Sequence, residues 1–199
     1  MSRDRDDLDT LILHGDAPDA VPPAEAARTL ITLPWRDSPL PEDPWLAHLL
    51  PRLDYNSVLL QRVGARPPPP GCGVSLFLAD PLINLERTFE RLLALGVAWI
   101  AAFPSITRFD DEFARVLGHG GLTADSEGRG LARARDAGFA IAAARWHARD
   151  PRPAGAACLI TPQTAAEWTG EDDCPIYVYP VSSGATQRCR LFRAPVGDV

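Results

Sequence analysis

Short apolar runs recur along this chain, each ended by a polar or turn residue and set apart from the next by helix-like spacing. That alternation is the pattern of a parallel sheet with covering helices. The runs are Thr10 to His14, Thr29 to Leu33, Val74 to Ala79, Val97 to Phe103, Phe139 to Ala144, Ala157 to Ile160 and Ile176 to Val181. They are nearly continuous in apolar residues rather than alternating, as strands buried on both faces must be.

Between the runs, Leu85, Phe89, Leu92 and Leu93 share a helical face and predict a helix over Ile83 to Leu95, closed by Gly96. Asp125 to Ala137 before Gly138, Asp43 to Leu53 with Pro44 in its first turn, and Asp110 to Leu117 read as three more. Pro67 to Pro70 form a stiff polyproline connector between two elements. No internal repeat goes beyond the strand–helix rhythm. The 199 residues suit one domain spanning the chain.

Every one of the 20 basic residues is Arg; the chain has no Lys. This excludes Schiff-base aldol chemistry, a pyridoxal phosphate lysine and a Walker A loop. A bound anion must therefore be held by Arg, backbone amides or a metal. The formal net charge is −6, and no basic stripe interleaves with aromatics, so no nucleic-acid partner is expected. No apolar stretch approaches the roughly 20 residues of a membrane span, and the start MSRDRDDLD does not read as a secretory signal. A cytoplasmic protein without a membrane partner is expected. Cys72, Cys158, Cys174 and Cys189 form no CxxC pair and read as reduced thiols, mostly within apolar runs.

The stretch from Val74 to Ala144 carries a more specific signal. Asp80-Pro81 ends one strand and opens a helix, and a Leu95-Gly96 turn follows. Then come Phe103-Pro104-Ser105, Asp110 and Phe113, a glycine cluster, and an acidic helix start at Asp125 and Glu127. In this order and spacing the segment resembles the middle of the phosphoenolpyruvate hydrolase-like TIM-barrel family, also called TIM-barrel signal transduction proteins. Asp9 to Gly15 and the Leu33-Pro34-Trp35 step extend the resemblance over residues 9 to about 161. The resemblance implies an α/β fold built as a (β/α) TIM-type barrel with mainly parallel strands. This chain is shortened at both ends: nothing before Asp9 can supply a first strand and helix, and RDPRPAG replaces a helix after His147. A closed eight-unit barrel takes about 200 to 250 residues or more. An incomplete or rearranged barrel is therefore expected. Its open sheet edge would be covered by a loop, by a second copy of the chain or by a protein partner.

In such a barrel, function sits at the C-terminal ends of the strands. Those ends offer His14, Asp16, Asp37, Asp80, Ser105, His147, Thr161 and Ser182. The resemblance implies metal-assisted hydrolysis, or carbon–carbon chemistry through an enolate, on a small phosphorylated or 2-oxo acid such as phosphoenolpyruvate. Asp80, Glu127 and His147 are then the candidate catalytic residues. Asp80 and Asp110 are candidate ligands for Mg²⁺ or Mn²⁺, which favour oxygen donors. Ser105, Arg108 and the small-residue run Ser182-Ser183-Gly184 are candidates for binding the anion.

Each residue also has a structural reading. Asp80 and Asp125 suit helix caps, His147 and His119 suit surface positions, and Ser182 to Thr186 suit a plain turn. Gly118, Gly120 and Gly121 lack the context of a dinucleotide fingerprint and read as a loop hinge. A non-catalytic ligand-binding or regulatory module is the alternative to an enzyme, as is a subunit that completes its barrel against another chain. An open pocket lined by Asp80, Glu127 and His147 would favour the enzyme. A mouth filled by Phe77, Trp99 or Trp146 would favour the module.

Overall fold

The computed structural model describes residues 10–15, 17–33, 54–109, 111–144, 154–161, 176–178 and 186–192. The strands are β1 (Thr10–His14), β2 (Thr29–Ile31), β3 (Gly73–Leu76), β4 (Trp99–Ala102), β5 (Ala140–Ala144), β6 (Ala156–Thr161), β7 (Ile176–Val178) and β8 (Thr186–Phe192). The helices are α1 (Tyr55–Ala65), α2 (Leu85–Ala94), α3 (Asp111–His119) and α4 (Ala124–Asp136). Each neighbouring pair from β1 to β7 is parallel.

The expected open edge is instead occupied by β8, which runs antiparallel to both β7 and β1 and brings the strand order back to its start. Residues 179–185 are fewer than the dozen or so that a parallel crossover takes, so the chain returns in the opposite direction.

Two apolar layers follow from the period of two along each strand. Leu11, Leu13, Leu30, Trp99, Ala101, Phe103, Ala142, Ala144 and Ile160 form a cluster of strand and strand-end residues alone, which places it inside the ring. The alternate residues Val74, Leu76, Ile100, Ala102, Ile141 and Ala143 pack against Leu59 and Val63 of α1, Phe89 and Leu92 of α2, and Leu131 of α4. Phe89 and Phe139 meet edge to face, with centroids 5.6 Å apart. At Gly73 the ring of Trp99 lies where a Cβ would go, so the start of β3 admits no side chain.

Helix ends are fixed by side-chain caps. Asp54 accepts from the Ser57 amide and Asn84 from the Arg87 amide. Thr123 and Ser126 form a reciprocal capping box. These caps correct two readings: Asn84, not Asp80, caps α2, and Thr123, not Asp125, caps α4. The glycine cluster falls at the end of α3 rather than in a separate loop. Gly118 lies within α3, and the Gly120 and Gly121 amides bond back to Leu117 O and Gly118 O to end that helix. The polyproline connector leads into β3, where the Gly71 amide bonds Gly96 O at 2.9 Å. The expected helix Asp43 to Leu53 lies outside the described residues, whereas α1, just after it, was not anticipated.

Candidate functional site

The segment after β4 is shaped by a buried carboxylate. Glu127, 4% exposed, lies one turn into α4. Its Oε1 accepts from Ser105 Oγ at 2.6 Å, and its Oε2 accepts from the Ile106 amide at 2.9 Å. Ser105 Oγ also accepts from the Thr107 amide at 3.1 Å and lies 2.8 Å from Thr107 Oγ1. Glu127 thereby ties α4 to the C-terminal end of β4. A buried carboxylate is tolerated only when hydrogen-bonded in this way. Two of the candidates, Ser105 and Glu127, are thus in direct contact.

Asp80 occupies a separate network on the β3 side. Its Oδ2 accepts from Asn56 Nδ2 at 3.1 Å and its Oδ1 from the Leu82 amide at 2.9 Å. Asn56 also donates to Phe77 O and accepts from the Phe77 amide, each at 3.0 Å. Asp80 therefore forms a turn with Leu82 and helps anchor α1. Arg108 is half-buried, with its guanidinium 5.7 Å from the centre of the Phe109 ring.

A third network closes the ring above β2, β3 and β4. Tyr55 Oη lies 2.5 Å from Ser75 Oγ and 3.1 Å from Thr32 Oγ1, and donates to Phe103 O at 3.5 Å. Burial pushes the Tyr55 phenol above its usual pKa, against the opposing pull of its bonds to Ser75 and Thr32. Tyr55 and the fully buried Phe103 fill this part of the mouth. Of the residues expected to fill it, Trp99 sits at the opposite, starting end of β4, and Phe77 is buried in the same apolar cluster as Tyr55. Trp146 lies outside the described residues.

A cavity of about 490 Å³ lies along α4 and β5, with Glu127 and Thr107 at its edge. Small residues of α4, namely Ala124, Gly128 and Ala132, face Ile141 and Ala143 of β5, while Asp125, Arg129 and Arg135 supply charge. A Cβ built at Gly128 would meet nothing within 4 Å. Arg135 is engaged with Ala154 O and Asp136, whereas Arg129 is exposed. Asp80 does not line this cavity.

His147, Asp110, Ser182, Ser183 and Gly184 lie outside the described residues. Among the described residues no three His, Cys, Asp or Glu side chains converge as a metal centre. No helix among them is long and apolar enough to cross a membrane. The sequence reading missed Tyr55, Asn56, Thr32 and Ser75, whose only signal was polarity at the ends of apolar segments. The chain matches no protein-family model, and no curated protein matches it.

Proposed function

We propose that this chain is a ligand-binding module on a rearranged (β/α) TIM-type barrel, derived from the phosphoenolpyruvate hydrolase-like family, and that it holds a small phosphorylated or 2-oxo acid without turning it over. The observation that carries this reading is the state of the two described candidate carboxylates. Both oxygens of Glu127 are taken by Ser105 and the Ile106 amide, and both oxygens of Asp80 by Asn56 and the Leu82 amide. Each carboxylate shapes backbone, and the two belong to different networks. A general base needs reach to the proton it removes, and these groups spend that reach on the fold.

The cavity beside Glu127 supports binding. Its volume of about 490 Å³ lies in the range of small-molecule pockets, and its lining is mostly apolar with a few charged groups. Arg129 is the cation placed to meet the anion, a role that falls to Arg in a chain without Lys.

One observation favours turnover instead: Glu127 itself lines the cavity. Titration calorimetry with phosphoenolpyruvate, with and without Mg²⁺ or Mn²⁺, run beside an assay for released pyruvate and phosphate, separates the two. The module gives binding heat and no product. Product formed in step with protein concentration, and lost in Glu127→Gln, would establish the enzyme.

A further inference from the structure

We infer that the outer face of α3 is a docking surface for a second copy of this chain, in antiparallel, two-fold-symmetric contact. α3 shows solvent two large apolar side chains one turn apart, Phe113 at 44% and Val116 at 56% exposure. Its inner side is anchored to the core through Leu117, with Leu122 following in the next turn. One edge of Phe113 rests on Phe109, with centroids 5.2 Å apart and planes at 73°. The rest of the ring faces outward.

The charges identify the occupant. Along the exposed face the order runs from Glu112 through Arg115 to His119, acid toward the start of the helix and base toward its end. Two such helices laid antiparallel bring Glu112 of each copy toward Arg115 and His119 of the other, with Phe113 and Val116 between them. The helix dipoles are then also opposed, which is favourable. A two-fold contact of this kind is self-complementary and closes at the dimer. Glu112 and Arg115 already pair within one helix at 3.2 Å, both well exposed, so each can exchange its partner at little cost. A nine-residue helix is about 13 Å long and presents less than the roughly 1,200 Å² of a standard interface. The dimer is accordingly weak and concentration-dependent.

Sedimentation velocity of the full chain from about 10 µM to about 1 mM tests this. The wild type shifts from monomer toward dimer as concentration rises, and added salt weakens the shift. Val116→Glu and Glu112→Arg each abolish it, with circular dichroism unchanged because both positions are exposed. Glu112→Arg combined with Arg115→Glu restores it by reversing both charges. A wild type that stays monomeric throughout overturns the proposal. So does a dimer unaffected by Val116→Glu, or a double charge variant no better than Glu112→Arg alone.

Discussion

Glu127 shows how one side chain serves a fold while looking like chemistry. Removing it in Glu127→Ala leaves the buried Ile106 amide and Ser105 hydroxyl without their acceptor. An unsatisfied buried group costs about 1–3 kcal/mol, so denaturant unfolding of this variant should show a loss of that size or larger. Glu127→Gln keeps one acceptor oxygen and should lose less. Cys72 bears out the reading of a buried reduced thiol: it is free, and burial pushes its pKa from 9.0 up to about 11. Burial also raises Tyr55. Both groups stay protonated in the fold at pH values where the unfolded chain loses their protons. The contribution of Cys72 is therefore complete below about pH 9 and is lost as pH climbs through about 11, while that of Tyr55 is complete below its ordinary value of 10.0 and is lost only above it. Urea midpoints should fall over that window, and Cys72→Ala should flatten part of the fall. At this scale the sequence named Ser105 and Glu127 separately. Their bond spans 22 positions and exists only once α4 packs on β4, which spacing along a chain does not reveal.

Elements were more legible than contacts. Seven strands were expected, and seven lie within or next to the expected runs, because a sheet buried on both faces writes itself as apolar runs. β8 was not anticipated: Thr186–Phe192 carries Gln187, Arg188 and Arg190, which break its apolar run, and its antiparallel pairing depends on where β1 and β7 already lie. α1 was missed because its buried side is narrow, with Tyr55, Leu59 and Val63 four residues apart and the polar Asn56 buried beside them. Close packing between strands gives a sharp test. Gly73→Ala drives a methyl into the Trp99 ring. Overpacking of a tight core costs about 1–3 kcal/mol, so melting should drop accordingly. Combining it with Trp99→Leu should recover part of the loss, which a double-mutant cycle would report as coupling between the two positions.

At the scale of the whole molecule, the strand order comes back to β1 through β8, which runs antiparallel to both of its neighbours. The resemblance to a barrel family led to the α/β fold with parallel strands, but not to the reversed strand, because the departure falls beyond the resembling segment. Ligand binding at the α4–β5 cavity is the central functional claim, and Gly128 gives access to it without disturbing the rest. Replacing Gly by Leu inside a helix gains up to about 1 kcal/mol of helix propensity, and here the new side chain grows into open space. Gly128→Leu should therefore fold at least as stably as the wild type while filling the site. The most direct measurement is thermal unfolding of wild type and Gly128→Leu, each with and without phosphoenolpyruvate. At about 100 times its dissociation constant the ligand should stabilise the wild type by about 2.7 kcal/mol and leave Gly128→Leu unmoved. No rise in the wild type, or an equal rise in both proteins, would contradict a binding site at this cavity.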